Sequence, residues 1–138
     1  MKHIRRYQEL FEARSSVGQA LDSLVLAYLD KQGVTHKHGD LIGHLEGVKV
    51  KVIDPELLKY EAPEWATYIG SHHWGKQTDY IPDDEVWIVK GLDADRVRKL
   101  LNHEFIEREM MRALEEEHGM DRQTAWEQAH YYVKQLGF

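Results

Sequence analysis

Only two residues, Gly119 and Met120, separate two stretches that both read as helix. The first is capped by Asp93 or Asp95 and runs to about His118, where Gly119 closes it; the second opens on the cap Asp121 and runs to Leu136. So short a connection allows little except an antiparallel hairpin, and the apolar faces of the two helices must then meet. Whatever the first helix turns inward faces the second.

The first helix turns inward residues that do not belong in oil. Val97, Leu100, Leu101, Met110, Met111 and Leu114 cover one broad side of its wheel, and His103, Glu104 and Glu107 fall inside that arc. Arg98, Asn102, Glu109 and Arg112 fall outside it, while Phe105 and Ile106 are apolar and off the stripe. An ionised carboxylate facing a core is costly unless compensated. A zinc ion, which accepts imidazole nitrogen and carboxylate oxygen, is one compensation; an ion pair or hydrogen-bond network with Arg96 or Arg108 as partner is the other. On the second helix, His130 lies between Ala129 and Val133 on the apolar stripe that Trp126 and Leu136 extend. The hairpin brings it within reach of His103 and Glu107. Two imidazoles and a carboxylate are three protein ligands, which leaves a fourth position for water, the pattern of a catalytic rather than a structural site.

Glu104 follows the first candidate ligand directly. In HExxH sites that glutamate is the general base acting on water. Here the motif reads His103-Glu104-Phe105-Ile106-Glu107, with glutamate in the second ligand position.

The remaining chain supplies a small sheet. Val17, Leu21, Leu24, Val25, Tyr28 and Leu29 recur at helical spacing, Leu10 and Phe11 extend that stripe backwards, and Gly33 ends the helix. Val34 to Gly47 reads as a loop, and Val48 to Ile53 alternates like a half-buried strand. Asp54-Pro55 opens a short helix to Tyr60, Trp65 to Gly70 is the candidate for a second strand, and Glu85 to Val89 forms another. The expected fold is α+β: a small antiparallel sheet, a long N-terminal helix and a C-terminal helical hairpin. The N-terminal stripe is expected to pack within the same chain, because a core of about seventy residues would be marginal alone.

The order Ile81-Pro82-Asp83-Asp84-Glu85-Val86-Trp87-Ile88, then Leu101-Asn102-His103-Glu104-Phe105-Ile106-Glu107, then Met111, Gly119-Met120 and Ala129-His130, resembles a group of small phage- and prophage-encoded proteins. That group is similar to minimal zincin metallopeptidases, with an IPxxEIW strand, an HExxE helix and a late AH. The resemblance spans residues 65 to 135 and leaves the N-terminal helix outside. It implies zinc, a helix carrying the His-Glu pair and a supporting strand at its edge. The chain is then one domain, 1–138, in which 1–33 is the N-terminal helix and 45–138 the zincin-like core.

Seven further histidines stand outside this trio of His103, Glu107 and His130 and its base. His72 and His73 lie in the glycine-bracketed stretch from Gly70 to Thr78, which either is a polar loop or places one imidazole at the metal as a fourth ligand or oxyanion stabiliser. His36, His38 and His44 share a loop with Asp40, where a second metal site is the alternative to ordinary surface residues. His3 and His118 read as surface positions.

A net charge of −6 argues against general nucleic-acid binding, the absence of cysteine excludes thiolate and disulfide chemistry, and no apolar run approaches a membrane span. The start of the chain lacks the apolar block of a secretory signal, which makes the cytoplasm, or the host cytoplasm for a phage protein, the expected compartment. Three functions remain: a zinc-dependent hydrolase acting on protein or peptide, a non-enzymatic phage-encoded protein that binds and modulates a host protein, and a structural phage protein stabilised by a buried metal or ion pair. The second draws on Phe105, Ile106 and Tyr131-Tyr132 as exposed contacts.

Overall fold

The computed structural model describes residues 15–75 and 78–137. His3, Leu10 and Phe11 therefore lie outside the described residues, as does the side chain of Val17. The elements are α1 (Ser15–Asp30), β1 (Asp40–Leu45), β2 (Val48–Ile53), α2 (Pro55–Leu58), a 3-10 turn (Pro63–Ala66), β3 (Gly70–His72), β4 (Glu85–Val89), α3 (Ala94–His118) and α4 (Arg122–Gln135). This is the α+β arrangement expected, with a helix on the N-terminal side and a helical hairpin at the other end.

The sheet is mixed rather than antiparallel. Its order is β1-β2-β4-β3, with β2 and β4 parallel and the two outer pairs antiparallel. Alternation reveals which residues share a face but carries no sign for strand direction, so the parallel pair was not legible. Two boundaries also differ. The glycine- and histidine-rich stretch expected as loop contains β1, whose pairing with β2 outweighs its weak pattern. The expected strand at Trp65 to Gly70 is instead a 3-10 turn opened by Pro63, and the strand begins at Gly70.

Period-two alternation sorts the sheet into two faces. Val48, Val50, Val52, Val86 and Ile88 point to a core shared with Leu21, Leu24, Val25 and Tyr28 of α1 and Leu101, Phe105 and Ile106 of α3. Ile53 and Trp87 point the other way, against Leu58, Ala62, Trp65 and Ile81. The N-terminal helix thus packs intramolecularly, on the same core as α3. Its Tyr28 hydroxyl donates to the Val89 carbonyl at 2.6 Å and accepts from Leu92 N at 2.8 Å, tying α1 to the chain entering α3.

Helix α3 starts where the Asp93 side chain accepts from Arg96 N and ends at Gly119, whose φ of 64° takes the left-handed cap. It is enclosed on nearly every side from Leu100 to Arg108, so Phe105 and Ile106 are buried and are not contact residues for a partner. A single-stripe reading fails here because the sheet, α1 and α4 cover different sides of the same helix. The hairpin closes through Met110, Met111 and Leu114 against Ala125 and Ala129. No helix among the described residues is long and apolar enough to cross a membrane.

Candidate metal centre

Three side chains from three elements converge on Glu107. His103 Nε2 lies 3.0 Å from Glu107 Oε2, one helical turn away on α3. His130 Nδ1, brought by α4, lies 2.9 Å from the same oxygen. His72 Nε2, from β3, lies 3.0 Å from the other oxygen, Oε1, and 3.9 Å from Glu104 Oε2. Arg108, one of the cations considered as a partner, pairs instead with Glu109 and donates to the Asp83 carbonyl. Arg96 makes no ion pair with a described carboxylate.

Strand register explains His72. Gly70 pairs with Ile88 and His72 with Val86, and both partners face α3, so Gly70 and His72 face it too while Ser71 turns away. Gly70 suits this close approach: a Cβ there would sit 3.1 Å from a Leu100 methyl and 3.3 Å from Glu104 Cγ, so those side chains would have to give by a few tenths of an ångström. The expected polar loop closes on itself, with Thr78 Oγ1 donating to the His72 carbonyl at 2.8 Å and Gly75 N to the same oxygen at 3.0 Å. His72 is fully buried in the site. His73 faces away, its Nδ1 lying 2.6 Å from the Ile81 carbonyl.

The other histidines separate. His36 sits against Asp40, His38 against Glu61, and His44 and His118 are exposed, so the loop forms no second metal cluster among the described residues. Two sets of donors among those residues could hold an ion: His103, Glu107 and His130, and His72, Glu104 and Glu107. Both use Glu107.

Burial works on these groups in opposing ways. Glu104 is held well above the usual carboxylate range by desolvation and then by the neighbouring Glu107 charge. For Glu107, burial pushes upward too, but hydrogen bonds from His103, His130 and His72 outweigh it and hold the carboxyl well below its ordinary value. His72 is shifted down by burial despite Glu107. Strongly perturbed neighbours in one cleft are characteristic of functional sites.

The donor atoms lie close enough together to hold a metal ion, at separations that ordinary hydrogen bonds also give. Zinc with bonds of about 2.0 Å at tetrahedral angles places ligand atoms roughly 3.3 Å apart, close to the 2.9 and 3.0 Å found about Glu107 Oε2. As a hydrogen-bond cluster alone, three imidazoles must all present N–H to one carboxylate. His72 Nδ1 is buried without a partner, and an ion held by His103, Glu107 and His130 would leave it so. The His-Glu group opens on a cleft of about 730 Å³ between β3, α3 and α4, with Tyr68, Ile69, Leu100 and Trp126 among its walls. His130, stacked on Trp126 at 4.7 Å, stands at its edge and keeps about a third of its side chain exposed.

An α+β fold with an imidazole-carboxylate centre beside an edge strand is the class these features define. Compared with models of known families, with curated proteins and with solved structures, the chain matches none.

Proposed function

We propose that the chain is a zinc-dependent hydrolase acting on peptide bonds, of the phage or prophage type that its motifs resemble. The observation that carries this reading is the convergence of His103, His130 and one oxygen of Glu107 at 2.9–3.0 Å on the wall of an open cleft. When bound there, the ion would supply Lewis acidity and lower the pKa of a coordinated water. His103, Glu107 and His130 hold it. Glu104, buried beside them and lining the same cleft, is ionised where the positive charge of a bound ion offsets its burial, and then takes the proton from water and returns it to the leaving amine. Among the described residues β3 is an outer strand of the sheet and borders the cleft, so an extended peptide can pair along its edge. His72 acts through Glu107, turning Oε2 toward the two imidazoles by occupying Oε1.

Elemental analysis of untagged protein tests the reading. About one zinc per chain is expected after dialysis against micromolar zinc; less than roughly a tenth of an equivalent removes the proposal. Full zinc with no hydrolysis of any peptide pool would favour a metal-stabilised interaction protein instead.

A further inference from the structure

Ten lysines and arginines of the 18 in the chain carry the observation by being satisfied. Every described Lys or Arg side chain is held in an ion pair except Arg96, Lys99 and Lys134. All three line the cleft of the His-Glu centre, where the acidic lining residues among those described are Glu104 and Glu107. In a chain with a net charge of −6, unneutralised cations gathered in one cleft are not a by-product of composition.

Their placement is specific. Arg96 and Lys99 precede His103 on α3 by about 10 and 6 Å of helix rise. Lys134 follows His130 by one turn on α4, and because α4 runs antiparallel to α3 it lies toward the same end of the cleft. Arg96 stands in the first turn of α3, where the positive end of the helix dipole disfavours a cation and favours an anion. Mutual repulsion among the three cations and the dipole's effect on Arg96, offset in part by Asp93 and Asp95 of the same turn, are both relieved by one bound negative charge.

We infer that this end of the cleft is a subsite for a carboxylate of an extended acidic peptide, seated two or three residues from the position of His103 and Glu107. An extended chain advances about 3.3 Å per residue, so two or three residues span the distance from the centre to Lys99 and Arg96. A peptide is the occupant because β3 presents a strand edge along the same cleft and the walls between are apolar, with Ile69 and Leu100 suited to side chains. The carboxylate comes from an Asp or Glu side chain or from a chain terminus. The inference rests on the peptide-hydrolase reading, and its test separates the two.

Equilibrium dialysis of the full chain carrying Glu104→Gln, to prevent turnover, would compare three acetylated hexapeptide pools with apolar random positions: one with a fixed Gln and an amidated end, one with Glu in its place, and one with Gln and a free carboxylate end. Either acidic pool should be retained about tenfold better than the neutral pool at low salt, with the advantage shrinking as salt rises. Whichever acidic pool leads identifies the source of the carboxylate. Arg96→Gln/Lys99→Gln/Lys134→Gln should erase the advantage, while Lys37→Gln/Lys49→Gln/Lys59→Gln, with the same change in net charge, should keep it. Equal retention of all pools, no retention of any, equal loss in both triple variants, or a single-stranded oligonucleotide outcompeting the acidic pools would each overturn the subsite. Zinc content measured on the same samples distinguishes the failures: zinc without charge preference sinks the subsite alone, and charge preference without zinc sinks the hydrolase alone.

Discussion

His72 and Glu107, separated by 35 positions in sequence, meet at 3.0 Å with both side chains almost wholly removed from solvent. The imidazole occupies Oε1, so the carboxylate cannot rotate away from His103 and His130. His72→Leu should therefore weaken zinc binding by about 10–100-fold in a chelator competition, and His72→Gln, which restores a donor, should recover much of the loss. Complete loss of zinc in both, matching His103→Ala, would make His72 a ligand and point to the set it forms with Glu104 and Glu107.

The two glutamates of α3 should separate by role. Glu104→Gln is expected to keep the full zinc content and lose hydrolysis by roughly 100-fold or more, since a general base typically contributes that much. Glu107→Gln should lose the metal. His130→Ala should lose it too, while His118→Ala, at an exposed helix end, should not. Equal metal loss in both glutamate variants would show that the roles are wrongly divided.

Gly70 tests how closely β3 must approach α3. In Gly70→Val the new side chain would press on Leu100 and Glu104, which an added Cβ alone already meets at 3.1–3.3 Å. Overpacking of this kind costs about 1–3 kcal/mol, and displacement of Glu104 should lower hydrolysis more than it lowers zinc content. A variant with wild-type melting temperature and activity would mean that strand and helix separate easily.

Asp40 predicts a pH dependence away from the centre. Lys31 at 2.8 Å, and then the Thr35 and His36 amides at 2.9 Å each, hold its carboxyl well below the usual range against the opposing effect of burial. A folded-state pKa below the unfolded value of about 3.9 means the stabilisation is present in full above that pH and is lost as pH falls below it. Asp40→Asn should destabilise the protein by about 1–3 kcal/mol at neutral pH, and the gap to wild type should narrow below about pH 4. A gap that does not change with pH would assign the effect to hydrogen-bond geometry instead of charge. Thermal melts across the acid range would read this.

Much of the centre was legible along one helix and its hairpin partner. His103 and Glu104 lie four and three residues before Glu107, and the two-residue connection at Gly119-Met120 leaves α4 nowhere else to pack, so His130 had to arrive beside them. Local periodicity and short connections are properties of neighbouring residues, and a sequence displays them directly. Strand direction, the path of β3 and the place of His72 are not of that kind. They depend on which strands pair and in which register, a choice made by the burial of both sheet faces at once, and a one-residue shift would have exchanged His72 for His73. The burial of Phe105 and Ile106 was likewise decided by packing, because α1 and the sheet enclose sides of α3 that its own stripe left open. The sequence determined the helix that carries the carboxylates; tertiary structure decided which third imidazole holds Glu107 in place.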